Sequence, residues 1–125
     1  MEPIRILLVE DNDVYRASLE LLLGLEPGVA VVAGVSEGPA AAAVCAETRA
    51  DVVLMDFRLP GIDGAAATSA VLAACPGTAV VCLTAEATDV EDEAVRAAGA
   101  TALVRKGAPV SELLATIRRA AGRPV

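Results

Sequence analysis

Five short apolar runs, each followed by a segment of helical character, constrain this chain more than any other feature. They are Ile4–Val9, Val29–Val35, Val52–Met55, Thr78–Leu83 and Thr101–Arg105. Each has the length of a buried strand, and the links to the intervening helices are short. Alternation of this kind requires a parallel sheet covered on both faces, with right-handed crossovers. The chain has 125 residues, enough for one domain, and its 55% hydrophobic content can fill a core.

The helices follow from punctuation and period. Asn12 and Asp13 are suited to capping a helix in which Val14, Ala17, Leu21, Leu22 and Leu25 recur at helical spacing, so these five are expected to face the core. Pro27-Gly28 ends it. Ser36 to Pro39 starts an alanine-rich helix that runs to Arg49, and a third helix spans Ala65–Ala74. A fourth spans Thr88–Ala98 and stops at Gly99. Gly107-Ala108-Pro109 opens the last, with Val110, Leu113, Leu114 and Ile117 on its apolar side and Arg118 and Arg119 in its final turns. The domain is expected to occupy residues 1–121, with 122–125 the start of a linker or tail.

Several chemistries are excluded. Histidine is absent, which removes Ser-His-Asp and Cys-His catalysis and His-based zinc sites. A net charge of −7 and 2% aromatic content argue against gripping phosphate backbones or stacking on bases. Cys45, Cys75 and Cys82 have no metal-ligand spacing and read as reduced thiols. No apolar run reaches membrane-spanning length, and MEPIRILLVE lacks the basic start of a signal peptide; a cytoplasmic location is expected.

Four of the five runs end on groups that do chemistry: Glu10-Asp11, Asp56, Thr84 and Lys106. The run Val29–Val35 does not. In the flavodoxin-like, doubly wound order 2-1-3-4-5, strands one and three flank the crevice where such sheets bind ligands, and strand two is an edge. That order brings Glu10 and Asp11 beside Asp56, with Thr84 and Lys106 on the far side. Three clustered carboxylates call for a cation. An oxygen-only donor set suits Mg²⁺, which keeps several waters and takes one or two carboxylates plus a substrate phosphate. Asp56 can then act as a nucleophile that forms an acyl phosphate. Lys106 can neutralise phosphoryl oxygens and Thr84 can hydrogen-bond one. Asp13, one position on, fits a helix cap better than a ligand.

The segments LLVEDN, VVLMDFRLPGIDG, VVCLTA and ALVRKGA resemble the motifs of response regulator receiver domains of two-component signalling, over Ile4 to about Ala121. The resemblance implies that Asp56 accepts a phosphoryl group from a sensor histidine kinase, which supplies the missing histidine. It implies a Mg²⁺ ion on Asp11 directly, on Glu10 through water, on Asp56 and on the backbone carbonyl of Arg58. It makes Thr84 the switch hydroxyl and Lys106 the phosphate-binding cation. Phosphorylation would then change assembly, for example by homodimerisation, or release an output domain. The ending LLATIRRAAGRPV resembles receivers joined to a helix-turn-helix domain, so DNA would be bound only through a further C-terminal domain. A stand-alone receiver, or one that no longer takes phosphate, is the alternative.

Two positions depart from the commonest pattern. Glu10 stands where Asp is more frequent, which still supplies a carboxylate. Leu103 stands three residues before Lys106, where many members carry an aromatic that moves with the switch hydroxyl. Arg58 and Glu86, each two residues beyond a site residue, are expected to pair over the phosphoryl group and shield it. A phosphatase of the haloacid dehalogenase type also uses Asp and Mg²⁺, but its DxDx[TV] pattern fails at Tyr15. A flavin-mononucleotide binder would want a Ser/Thr/Gly loop where this chain has the acidic EDND.

Overall fold

The structure is a computed structural model and describes residues 2–124; of the tail expected at 122–125, Val125 lies outside the described residues. Strands β1 (Ile4–Val9), β2 (Val29–Val35), β3 (Val52–Asp56), β4 (Ala79–Thr84) and β5 (Ala102–Arg105) alternate with helices α1 (Asp13–Gly24), α2 (Gly38–Thr48), α3 (Gly64–Ala74), α4 (Asp89–Ala97) and α5 (Val110–Ala120). The strands form one parallel sheet in the order β2-β1-β3-β4-β5. This is the flavodoxin-like arrangement expected from the alternation, with β2 at an edge.

Side-chain alternation along each strand builds two cores. Ile6, Leu8, Leu54, Val81, Leu83 and Val104 point to one face, where Leu19 and Leu23 of α1 and Leu113, Leu114 and Ile117 of α5 cover them. Leu7, Val9, Val53, Met55, Val80 and Cys82 point to the other, beneath Ala41 and Cys45 of α2, Ala67 and Val71 of α3 and Val95 of α4. The central strands read as unbroken apolar runs because both of their faces are dry. The small residues of α2 and α3 let these helices lie close to the sheet.

The first helix turns a different face inward from the one its spacing favoured. Leu19 and Leu23 are buried, whereas Val14, Leu21 and Leu25 are 77%, 68% and 73% exposed and Leu22 is 44% exposed. The segment DVYRASLELLLG carries apolar residues on two stripes, and only docking on the sheet selects one. Asn12 is the N-cap, its Oδ1 accepting from the Tyr15 N–H. Asp13 is the first helical residue and pairs with Arg16 at 2.7 Å. Among the described residues no helix is long and apolar enough to cross a membrane.

Candidate functional site

The carboxyl ends of β1, β3, β4 and β5 meet at one edge of the sheet. Register fixes this: Met55 pairs with Val9, Asp56 with Leu83 and Thr84 with Arg105. Backbone bonds continue the alignment beyond the strands, from Phe57 N–H to Leu83 O at 2.8 Å and from Lys106 N–H to Thr84 O at 2.7 Å. Gly64 lies against the backbone at the end of β3. A Cβ at that position would lie 2.5 Å from the Asp56 carbonyl oxygen and 2.7 Å from Phe57 Cα, so only glycine lets α3 begin this close to the end of β3.

Glu10, Asp11 and Asp56 each present a carboxylate oxygen within 4.8 Å of the others. Glu10 and Asp56 are almost wholly buried, while Asp11 faces solvent. Lys106 joins them, with Nζ 2.7 Å from Glu10 Oε1 and 3.2 Å from Asp56 Oδ1. The Asn12 N–H donates to Glu10 Oε2 at 3.0 Å, and the Arg58 N–H to Asp56 Oδ1 at 3.3 Å. Alternation accounts for the grouping. Glu10, Asp56 and Lys106 are in phase with Leu8, Leu54 and Val104, whereas Thr84 is out of phase with them and in step with Cys82.

The electrostatics follow from burial and proximity. Burial pushes the Asp56 carboxyl up from 3.8 to about 7, and the neighbouring Glu10 carboxylate adds to the rise against the pull of Lys106. Burial alone would lower the Lys106 ammonium; its bond to Glu10 and the charge of Asp56 outweigh that and raise it. A buried acid that prefers its proton beside two further carboxylates is a site that a small divalent cation would satisfy. The all-oxygen donors match Mg²⁺. Cys82, by contrast, is pushed to about 11 by burial, so it is an inert core thiol, and all three cysteines are free.

The Thr84 hydroxyl lies outside this group's bonding. It donates to Glu91 Oε1 at 2.5 Å, and Glu91 Oε2 is 3.9 Å from a guanidinium nitrogen of Arg58. The pair expected between Arg58 and Glu86 is therefore replaced by one between Arg58 and Glu91, because Glu91 sits on the inward face of α4 one turn before buried Val95. Glu86 is exposed and lines a groove of about 350 Å³ with Leu103, Arg105 and Glu112. Sequence reasoning missed Glu91, which hides in the acidic stretch DVEDE; its four-residue spacing from Val95 was the available signal. It also missed Tyr15, whose ring lies 4.9 Å from the Lys106 ammonium. Tyr15, Leu19 and Leu23 form one i, i+4, i+8 line that ends at the cleft.

An open α/β sheet with an acidic cleft and a lysine at its switch point defines the class. The Response regulator receiver domain family model matches residues 6–118, and the chain belongs to that family. Among curated relatives it is 33% identical over 111 residues to the protein-glutamate methylesterase/protein-glutamine glutaminase 2 of Anaeromyxobacter dehalogenans, covering 89% of this chain and 32% of that one. It is 35% identical over 115 residues to the response regulator GacA of Pseudomonas viridiflava, covering 92% and 54%. The chain thus spans at most about half the length of these two relatives. The receiver domain of the putative response regulator NarL from Mycobacterium tuberculosis superposes with a TM-score of 0.92 at 26% identity, covering 98% of both chains. The receiver domain of sensor histidine kinase PA1611 from Pseudomonas aeruginosa, which has a magnesium ion coordinated in its active site cleft, superposes with a TM-score of 0.84 at 33% identity, covering 96% and 98%.

Proposed function

We propose that Asp56 is the phosphoacceptor and that a sensor histidine kinase is the donor. The observation that carries this reading is the Asp56 carboxylate itself, buried at the end of β3, held 3.2 Å from Lys106 and flanked by two further acids. An Asp56 oxygen attacks phosphorus and forms an acyl-phosphate P–O bond. The P–N bond of the donor phosphohistidine breaks, and its electron pair returns to the imidazole nitrogen, which takes up a proton. Lys106 Nζ, already between Glu10 and Asp56, is placed to neutralise a phosphoryl oxygen.

Glu10, Asp11, Asp56 and the Arg58 carbonyl would hold Mg²⁺, and the magnesium-bound PA1611 receiver supports that assignment. When bound, the ion supplies positive charge against the developing negative charge of the transferred group. Thr84 is the hydroxyl that binds a phosphoryl oxygen once it is present. The domain's chemistry is limited to accepting and shedding its own phosphoryl group, with no other substrate turned over. Residues 1–121 act as the regulatory unit of a cytoplasmic transcription regulator, with 122–125 leading toward a DNA-binding output domain. Homodimerisation on phosphorylation is the readout. The match to the response regulator GacA, of which this chain covers 54%, supports reading it as one part of a longer regulator.

Incubation with acetyl phosphate and Mg²⁺ followed by intact mass tests the reading. The parent gains one phosphoryl group and Asp56→Asn gains none. No gain in the parent, or equal gain in both, refutes it.

A further inference from the structure

Glu10, Asp56 and Glu91 are the buried acids among the described residues, and phosphoryl chemistry as set out above employs only the first two. Glu91 is 7% exposed, at the third residue of α4. Thr88-x-x-Glu91 has the pattern of a capping box, in which the Glu side chain would return to the N-terminus of its own helix. Half of the box forms: the Glu91 N–H donates to Thr88 Oγ1 at 3.2 Å. The other half does not, because the carboxylate reaches instead to the Thr84 hydroxyl at 2.5 Å and toward Arg58 at 3.9 Å. A helix-capping role leaves that diversion unexplained.

We infer that Glu91 is a positioning residue that latches Thr84 to α4 in the unphosphorylated protein and transmits the latch's release to that helix. The inference rests on the reading that Asp56 takes the phosphoryl group and Thr84 binds it. A hydroxyl has one proton to donate. It is given either to the Glu91 carboxylate or to a phosphoryl oxygen, so phosphorylation strips Glu91 of its close donor. The remaining partner, Arg58, is distant and its side chain is 78% exposed. A buried carboxylate left without a donor is costly, and the relief is for Glu91 to turn to water with the first turn of α4. The link between Thr84 and α4 contains Ala87 at φ 55°, a left-handed conformation unfavourable for alanine, so this segment gains from rearranging. The Leu103 side chain has no polar atom with which to follow Thr84; that of Glu91 does.

The test compares parent, Glu91→Ala and the isosteric Glu91→Gln for initial rate of phosphorylation by acetyl phosphate with Mg²⁺, read by intact mass. Amide hydrogen exchange over residues 88–95 is followed before and after. Removing a latch that holds the off state raises the competent population, so Glu91→Ala reacts about fivefold faster or more, the lower end of typical coupling. Its exchange over 88–95 is already high and changes little on phosphorylation. Glu91→Gln keeps an acceptor without charge and falls between. In a Thr84→Ala background, Glu91→Ala alters the rate less than about twofold, as a residue acting through Thr84 must. Equal rates across the Glu91 series overturn the latch, as does an acceleration that persists without the Thr84 hydroxyl. Where Glu91→Ala does not fold, Glu91→Gln decides by the same criteria. A parent that gains no mass defeats the phosphoacceptor reading and the latch with it; a parent that gains mass, with an indifferent Glu91 series, defeats the latch alone.

Discussion

Replacing Asp56 by Asn should stabilise the metal-free protein, and increasingly so as pH rises. The Asp56 carboxyl is lifted from 3.8 to about 7, so the folded chain binds a proton that the unfolded chain has released across that interval. A raised folded-state pKa gives stability that is complete below the unfolded value and is lost as pH climbs through the folded one. The full interval of about 3 units, at about 1.36 kcal/mol each, sets a ceiling of about 4 kcal/mol. From pH 5 upward about 2 units of that interval remain, or about 2–3 kcal/mol between pH 5 and pH 8. Lys106 keeps its charge throughout that window, because its pKa is raised rather than lowered. Urea unfolding of parent and Asp56→Asn in the presence of a chelator, at half-unit steps of pH, isolates the cluster around Asp56, since groups out of contact with it cancel in the difference. The parent should fall behind the variant by about 2–3 kcal/mol over this range, and saturating Mg²⁺ should restore more to the parent than to the variant. A difference that stays flat within about 0.5 kcal/mol from pH 5 to pH 8 would refute the argument that burial and Glu10 hold a proton on Asp56.

Three further outcomes follow from named contacts. Lys106→Met leaves Glu10 and Asp56 buried without their ammonium, and should cost about 2–3 kcal/mol at pH 8 and less at pH 5.5, where Asp56 holds its proton, by the same urea assay. Gly64→Ala forces a methyl group against the Asp56 carbonyl and Phe57 Cα, and should cost about 1–3 kcal/mol in thermal unfolding while slowing mass gain from acetyl phosphate. Leu23→Ala should lose about 2–5 kcal/mol, whereas Leu21→Ala and Leu25→Ala should each change stability by less than about 0.5 kcal/mol; comparable losses at all three would mean that α1 is turned the other way.

The sheet order and the cluster at Asp56 were legible because each depends on a local signal repeated along the chain. An apolar run of strand length announces a buried strand, and the residue just past it falls at the ligand-binding edge whatever the details of packing. The inward face of α1 was not legible, because a helix with leucine on two sides satisfies the helical period twice and only the sheet's shape breaks the tie. Glu91 was hidden for a related reason. An acid in an acidic first turn looks like a solvated, dipole-matched residue, and its burial depends on how α4 is set against the end of β4. The Arg58–Glu86 expectation failed on counting residues from the site, where the partner is chosen by helix phase. Tyr15 was visible only once Leu19 and Leu23 were known to face inward.

Glu10 and Lys106 lie 96 positions apart and yet touch, and the same ammonium also reaches Asp56, from a third part of the chain. No fragment, half-translated chain or misregistered sheet can assemble that trio. On the reading proposed above, competence to accept a phosphoryl group would therefore double as a certificate of completed folding: a damaged copy would stay mute rather than send a false message.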